Sequence, residues 1–330
     1  MISATWGIAR AAIICGLAAS LLSAARSAPT AQNYPNHPIR LIVPFAPGGL
    51  NDTVARLLQP HLEKSLKVSV IIDNRPAASG IVGTETVAKA QPDGYTLLMV
   101  ASSHTVIPAT NPKLPYDADK SFAPIAMVGQ NPFLFIVNAK VPAATLGEFV
   151  ALAKAKPGKI NYATVGAASQ SHLITELFSQ RAGIKMQQIP YRGGAPAITA
   201  TVAGETQFTI ISPQASLPHI AAGTLRAIAA GSLARDPQFP NIPTVSEQGY
   251  PGFEAIQWVG LLTAAGTPKA VIDRLNREVN TAIRDPDLIA KLATQGMSPA
   301  GGTAEEFHNV IATEIANWTA VARAAHITAD

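Results

Sequence analysis

The chain has 330 residues, of which 48% are hydrophobic and 14% charged, and its formal net charge is +4. This length and apolar content are sufficient for one large or two medium domains with a sizeable core. Lysine and arginine form no cluster and no stripe interleaved with aromatic residues, so nucleic acid is not an expected partner.

The first thirty residues have the pattern of a secretory signal peptide. Arg10 precedes an apolar run from Ala11 to Leu22, and small residues follow it. The run is too short for a stable membrane anchor, which is the alternative interpretation, so we predict a cleaved signal peptide over residues 1–31 and export of the rest. The single cysteine, Cys15, lies inside this segment. The mature chain is therefore expected to have no disulfide and no thiolate metal site.

Strand and helix patterns alternate along the remaining chain. Short apolar runs that predict strands begin near Leu41, Val68, Tyr95, Phe133, Ile160, Gln187, Gln207, Leu225 and Gln257. Most are followed by a turn of small or polar residues and then a helical pattern, and a Pro-rich segment over 108–124 separates two blocks. This alternation predicts an α/β fold with mostly parallel sheets flanked by helices. In such folds ligands bind at the carboxyl ends of the strands, where these turns lie.

The turn after the first strand is the clearest candidate for a binding site. It carries the sequence Phe45-Ala46-Pro47-Gly48-Gly49-Leu50-Asn51-Asp52. The two glycines permit a close approach to the backbone, and we expect their amides to face a ligand. Asn51 and Asp52 are suitable N-caps for a helix from Thr53. A helix start of this kind favours anions, although a purely structural turn would look the same.

The chain shows no recognisable catalytic apparatus. It contains no G-x-S-x-G elbow, G-x-G-x-x-G fingerprint, Walker A loop or H-E-x-x-H helix. His104 and His172 follow candidate turns, but no histidines have metal-ligand spacing. Serines gather at the strand ends without a paired base. We therefore expect no enzyme, no cofactor and no metal, and instead a set of amides and hydroxyls that bind a small carboxylate. The rival hypothesis is an exported enzyme that uses His104 or His172 as a base.

Several stretches together resemble one known family. They are Pro38-Ile39-Arg40, Pro44 to Gly49 with Asp52 and Ala55-Arg56, Asn74-Arg75-Pro76, Pro92 to Leu97, Leu114 to Asp117, Tyr191 to Gly194, Ile242 to Gly249 and Gly266-Thr267-Pro268. In this order they resemble the Bug-type substrate-binding proteins of tripartite tricarboxylate transporters. The resemblance covers essentially the whole mature chain.

The resemblance implies a two-domain periplasmic binding protein of type II, a Venus-flytrap clamp that closes on a small di-, tri- or aromatic carboxylate. Domain 1 would comprise residues 32–128 plus 256–330 and domain 2 residues 129–255, with the ligand cleft between them. It further implies a monomeric receptor in the periplasm that contacts its inner-membrane transporter transiently. A receptor that signals to a membrane sensor is the alternative.

By position, the family's ligand-binding loops fall on both domains. The expected ligand-binding residues are Phe45, Ala46, Gly48, Gly49, Asp52, Ser79, Gly80, Ser102, Ser103, His104, Gly166, Ser169, Ser171, His172, Tyr191, Arg192, Gly193 and Ser212. The chain departs from the family where Gln207 and Ser212-Pro213 stand in place of aspartates. A ligand with an amino group, which would need a carboxylate partner, is therefore not expected.

Overall fold

The computed structural model describes residues 34–77 and 80–329, and the predicted signal peptide lies outside them. The strands are β1 (Ile39–Val43), β2 (Val70–Asn74), β3 (Thr96–Ala101), β4 (Phe122–Pro132), β5 (Leu134–Asn138), β6 (Asn161–Thr164), β7 (Gln187–Pro190), β8 (Phe208–Ile211), β9 (Leu225–Ala230), β10 (Ile256–Ala264) and β11 (Ser298–Gly301). The helices are α1 (Leu50–Leu66), α2 (Ile81–Ala88), α3 (Ser103–Thr110), α4 (Leu146–Ala155), α5 (Gln170–Ala182), α6 (Gly194–Ala203), α7 (Pro213–Ala221), α8 (Lys269–Ala282), α9 (Pro286–Thr294) and α10 (Ala304–Ala324).

One sheet has six strands in the order β11-β4-β10-β3-β1-β2. Strand β1 is parallel to β2 and β3, whereas β10 is antiparallel to β3 and β4. Both faces of β1 are apolar, since Leu41 packs in the core under α1 and α8 and Ile42 packs with Phe307 of α10. A strand buried on both faces needs helices on both sides of the sheet. We call this sheet and its helices lobe 1.

The other sheet has five strands in the order β7-β6-β8-β5-β9. Strand β6 is parallel to β7 and β8, and β5 is antiparallel to β8 and β9. An aromatic cluster fills its core: the ring of Phe135 meets the rings of Phe178 and Phe253 edge-on, with centroids 5.1 and 5.7 Å apart. We call this sheet with α4 to α7 lobe 2. The predicted two-domain α/β fold is confirmed.

The described chain crosses between the lobes from β4 to β5 and again from β9 to β10, and these crossings are hydrogen-bonded to each other. The amide of Phe133 donates to the Ala255 carbonyl (2.9 Å), the Ala255 amide to the Gly231 carbonyl (2.8 Å) and the Gly231 amide to the Phe133 carbonyl (2.8 Å). A Cβ on Gly231 would lie 2.5 Å from the Ala255 oxygen, so this approach requires glycine. Strand β4 continues to Pro132, and the residue limits of the two domains remain a prediction.

Helix α10 also connects the lobes. It begins at a capping box, in which Thr303 Oγ1 accepts from the Glu306 amide (3.1 Å) and the Glu306 carboxylate accepts from the Thr303 amide (2.7 Å). Its first half packs on lobe 1 through Phe307, and Trp318 and Val321 in its second half join the core of lobe 2. Among the described residues, none of the helices has the length and apolar character needed to cross a membrane.

Candidate ligand site between the lobes

The turns singled out from the sequence follow the carboxyl ends of strands in both lobes. In lobe 1 these turns follow β1 and β3, and in lobe 2 they follow β6, β7 and β8. Ser102, after β3, donates through Oγ to Oε1 of Gln170 at the start of α5 (2.6 Å). Both residues are buried, with exposed fractions of 0% and 8%. This contact brings the turn after β3 directly against the turn after β6.

Asp52 organises the turn after β1. Its side chain is buried, Oδ2 accepts from the Gly48 amide (2.8 Å) and from Arg56 Nε (2.9 Å), and Oδ1 accepts from Asn74 Nδ2 (3.0 Å). Asn74 Nδ2 also donates to the Phe45 carbonyl (3.2 Å). Burial alone would raise the pKa of the Asp52 carboxyl, but the hydrogen bonds from Arg56, Gly48 and Asn74 and the charge of Arg56 lower it. Asp52 is thus an ionised anchor for the loop.

Two expectations about this turn are wrong. Helix α1 begins at Leu50 with Gly49 as its N-cap, so Asn51 and Asp52 lie inside the first turn and do not cap it. The Gly48 amide is bound to Asp52 and the Gly49 amide donates to the Ala46 carbonyl (3.3 Å), so neither faces outward. The Asp52 carboxylate reaches back four residues to the Gly48 amide, outside the helix, so it fixes the loop without capping the first-turn amides.

The amides that this turn can offer are instead those of α1 itself. Within the described residues, the amides of Leu50, Asn51 and Asp52 have no acceptor, whereas the Thr53 amide already donates to Gly49 (2.9 Å). Three such amides at a helix start form an anion site. The side chain of Asn51 adds a donor, because its Nδ2 is buried without a partner in the described part of the chain.

Gly80 and His104 make their contacts within lobe 1. Gly80 has φ +90°, a Cβ there would lie 3.0 Å from the Pro44 oxygen, and its amide donates to the Ala77 carbonyl (2.9 Å). The buried His104 donates through Nε2 to the Ala118 carbonyl (2.8 Å), and burial lowers its pKa to about 4. This contact holds the His104 ring within lobe 1. Ser103 is partly exposed at the start of α3. Ser79 lies outside the described residues.

In lobe 2, the side chains of the turn after β6 mostly hold the turn itself. Ser169 Oγ donates to the Gly166 carbonyl (2.7 Å), and Ser171 Oγ accepts from the Val165 amide (3.2 Å). His172 Nδ1 accepts from the Ala168 amide (3.3 Å). Burial lowers the His172 pKa, against the opposing charge of Glu176, so this imidazole is neutral and engaged as well.

Helix α5 begins in this turn in the same way as α1 begins in lobe 1. Ser169 is its N-cap, with an extended backbone and no side-chain capping bond. The amides of Gln170, Ser171 and His172 have no acceptor among the described residues. A second anion-favouring helix start therefore lies beside the Ser102–Gln170 contact.

The remaining predicted residues lie on neighbouring turns of lobe 2. Gly193 (φ +113°) is the N-cap of α6, and Ser212 is the N-cap of α7 with Pro213 in the first turn. The Tyr191 hydroxyl donates to Glu205 (3.5 Å) and is not directed freely into the cleft. Arg192 is exposed and forms no ion pair with any described residue.

Sequence reasoning missed the polar groups that no motif marks. Gln170 lay within a predicted loop but was not selected, and its Nε2 is buried without a partner in residues 34–77 and 80–329. Asn131, near the end of β4, has the same property at both side-chain polar atoms and is 1% exposed. A second contact between the lobes, from Gln238 Nε2 to Ser298 Oγ (3.0 Å), was also unforeseen. Burial and partner choice follow from the tertiary fold, so the sequence carries no signal for them.

A separate cavity of about 640 Å³ lies beside the crossings, between the sheet of lobe 1, α10 and α5. Glu314 of α10 lines it and accepts from Thr105 Oγ1 (2.7 Å) and from Trp258 Nε1 (3.1 Å). Burial raises the Glu314 pKa to about 7, partly offset by these hydrogen bonds, while the charge of Glu254 raises it further. We call this space the hinge cavity; nothing in the sequence pointed to it.

Comparison with known proteins identifies the family. The family model of the tripartite tricarboxylate transporter family receptor, TctC, matches residues 54–327. The chain belongs to this family. BugT of Bordetella pertussis is 38% identical to it over 296 residues, which cover 89% of this chain and 91% of BugT. The resemblance drawn from the sequence motifs is confirmed.

Solved structures of TctC-like proteins agree. MatC from Rhodopseudomonas palustris, solved with bound malate, is 30% identical, with a TM-score of 0.73 over 87% of this chain and 99% of that one. Another R. palustris protein, solved with adipate, is 31% identical, with a TM-score of 0.76 over 89% and 99% of the two chains. This chain is thus a receptor of the TctC family that shares the fold of these solved structures.

Proposed function

We propose that this chain is an exported receptor that binds a small carboxylate between its lobes and delivers it to a tripartite tricarboxylate-type transporter in the inner membrane. The observation that carries the proposal is the pair of helix starts, α1 and α5, whose first-turn amides have no acceptor within the described residues. Helix α5 begins beside the Ser102–Gln170 hydrogen bond, which joins the turn after β3 to the turn after β6. Malate and adipate in the related structures support the ligand class.

The magnitudes are adequate for a receptor. Micromolar affinity corresponds to about 8 kcal/mol. Hydrogen bonds to a charged group contribute about 1.5–3 kcal/mol each, so several amide donors suffice where one helix dipole, at most about 2 kcal/mol, would not. Gly193 and Ser212, at the starts of α6 and α7, extend the same donor surface.

The charges near the site favour a ligand without an ammonium group. Asp52 is the acidic residue of the predicted set, and its carboxylate already accepts from Gly48, Arg56 and Asn74. Ser212 and Pro213 provide no replacement carboxylate. Exposed Arg192 is suited to a second carboxylate of the ligand. We therefore infer a plain di- or tricarboxylate or an aromatic carboxylate.

In this proposal the protein acts in the periplasm as a monomer, after removal of a signal peptide within residues 1–31. The proposed domains are residues 32–128 plus 256–330 and residues 129–255, although β4 extends the sheet of lobe 1 to Pro132. A receptor that reports to a membrane sensor would bind in the same way, so uptake distinguishes the two: deletion of the gene should abolish uptake of the bound acid if the protein serves a transporter.

Titration of the purified mature protein tests the proposal. Malate, adipate, citrate and benzoate are added in turn, followed by calorimetry and by tryptophan fluorescence, since the buried Trp258 lies next to the crossings. We expect one-to-one binding of at least one acid with micromolar or tighter affinity. Analogues in which an amino group replaces the carboxylate should not bind. Absence of saturable binding across mono-, di-, tri- and aromatic carboxylates would overturn the proposal.

A further inference from the structure

We propose that Gln170 is a specificity-determining residue: Ser102 fixes its side-chain amide across the cleft so that Nε2 donates to the ligand. This inference rests on the proposed function and names the residue by which lobe 2 selects a hydrogen-bond acceptor. Candidate residues of the family loops contribute mainly backbone amides. Gln170 would add a donor from a side chain to these backbone amides.

The geometry sets the orientation of the amide. Ser102 Oγ donates to Gln170 Oε1 at 2.6 Å, and Ser102 is wholly buried. The carbonyl end of the amide is therefore committed to lobe 1. The NH₂ end is also buried, yet Nε2 has no partner among the described residues. A buried donor without an acceptor costs free energy, so such a group in a ligand cleft indicates an acceptor that arrives with the ligand.

The surroundings of Gln170 favour a carboxylate as that acceptor. Gln170 is the first residue of α5, so its Nε2 lies beside first-turn amides that also lack acceptors in the described chain. Every donor there suits an anion, and the helix dipole adds to the same preference. With its oxygen bound to Ser102, the Gln170 amide presents its NH₂ group, a donor, to the ligand. An ammonium group would meet no acceptor at this position.

A contact that merely joins the lobes is the competing explanation, and Gln170→Glu separates the two. Glutamate keeps an oxygen for Ser102 but replaces the NH₂ group by a second oxygen. If Gln170 only joins the lobes, the contact and the affinity survive. If Nε2 donates to the ligand, a hydrogen bond is lost and a carboxylate faces a carboxylate.

The matched control is Gln238→Glu. Gln238 is likewise a glutamine of lobe 2 whose amide meets a serine of lobe 1, Ser298 (3.0 Å), and it is not among the candidate ligand residues. Glutamate there can still accept from the Ser298 hydroxyl. Both variants replace the NH₂ group of a glutamine that contacts a serine of the other lobe, one inside and one outside the cleft. At Gln238 this NH₂ group itself donates to Ser298 Oγ, so the serine hydroxyl must reverse and donate to the glutamate.

The experiment measures the affinity of wild type and both variants for malate, adipate, citrate and benzoate at pH 7.5. We expect Gln170→Glu to weaken the tightest of these acids at least 100-fold and Gln238→Glu less than twofold. The deficit of Gln170→Glu relative to wild type should shrink as the pH falls towards about 4.3, where glutamate becomes protonated and regains a donor. Equal affinities of wild type and Gln170→Glu would overturn the inference.

A second measurement removes any dependence on how the variant folds. In ¹⁵N-labelled wild type, the side-chain NH₂ signal of Gln170, assigned by its loss in Gln170→Leu, should shift on addition of the tightest acid. A signal unmoved at saturation would contradict the proposal. If wild type binds none of the acids, the proposed function itself fails, whereas binding that is indifferent to Gln170 removes only this inference.

Discussion

The cleft and the hinge cavity are two of the places where the lobes meet, and their buried polar groups have different partners. In the cleft, the amides at the start of α1 and the Nε2 of Gln170 are without acceptors in the described chain. In the hinge cavity, Glu314 accepts hydrogen bonds from Thr105 and Trp258 of lobe 1. Groups satisfied within the protein hold the lobes in place, and groups left for an outside partner define a binding site.

The two places are connected through one residue. Thr105 Oγ1 lies 2.7 Å from Glu314 Oε2 and 2.7 Å from the Ser102 carbonyl. Because a hydroxyl has a single hydrogen, Thr105 can donate to only one of them at a time. Ser102 in turn orients Gln170 in the cleft. The comparison therefore makes separate predictions for stability and for affinity.

The largest effect is expected for Asp52→Ala, which removes the acceptor of Gly48, Arg56 and Asn74. We expect the loop after β1 to lose its position, the free energy of unfolding to fall by about 2 kcal/mol, and carboxylate affinity to fall more than 100-fold. Denaturant unfolding and calorimetry measure the two effects. The matched control is Asp73→Ala, which breaks only partly exposed ion pairs to Arg40 and Arg75 and should change both quantities little.

The pH dependence of this effect has a definite sign. The folded-state pKa of Asp52 is lowered, so its contribution to stability is present above the unfolded value of about 3.9 and disappears as the pH falls through the folded-state pKa. The difference in stability between wild type and Asp52→Ala should therefore be full at pH 7 and diminish below pH 4. A difference that stays constant down to pH 2 would show that the carboxylate charge does not stabilise the loop.

Glu314→Gln should change stability without changing binding. The folded-state pKa of Glu314, about 7, lies above the ordinary value of 4.5, so the native state holds a proton that the unfolded state releases. Wild type should thus lose stability as the pH rises from about 4.5 to about 7, by about 3 kcal/mol, and little more above that. The glutamine variant has a neutral side chain at every pH, so it should lack this slope.

Denaturant unfolding at pH 5 and pH 8 measures the slope in wild type and in Glu314→Gln. The carboxylate affinities of wild type and Glu314→Gln at pH 8 should agree within threefold, because the hinge cavity is distinct from the cleft. A large loss of affinity would instead show that the Thr105–Ser102 connection controls the orientation of Gln170, and the two regions could no longer be treated as independent.

Asn51→Ala removes a single hydrogen-bond donor from the cleft, and we expect an intermediate loss of affinity. Asn51 is 6% exposed and its Nδ2 lacks a partner in the described residues. Loss of one hydrogen bond to a charged ligand, about 1.5 kcal/mol, predicts an affinity about tenfold lower. The free energy of unfolding should change by less than about 0.5 kcal/mol, because the side chain makes no hydrogen bond within the described residues. Unchanged affinity would exclude this side chain from the site.

These differences show what the sequence could and could not predict. The alternation of apolar runs and helical patterns correctly predicted the α/β fold, and the motifs correctly predicted the family, because both depend on local order along the chain. The roles of Gly48, Gly49 and Asp52 in the first turn were mispredicted. Asp52 bonds to Asn74, from another strand, and that pairing decides which amides remain available. Gln170 and Glu314 depend in the same way on neighbours far apart in the sequence.

The smallest effects are expected for the two glycines of that turn, and they differ from each other. Gly49 has φ −75°, a Cβ there would sit 3.4 Å from the Ala46 oxygen, and its amide is used within the turn. Gly49→Ala should therefore leave affinity within twofold and stability nearly unchanged. Gly48 has φ +81° with open space around its Cβ position, so Gly48→Ala should cost about 1 kcal/mol of stability through backbone strain alone. Thermal unfolding and calorimetry of both variants give the comparison. A tenfold affinity loss in Gly49→Ala with normal stability would mean that the Gly49 amide turns outward to the ligand, and that the turn rearranges on binding.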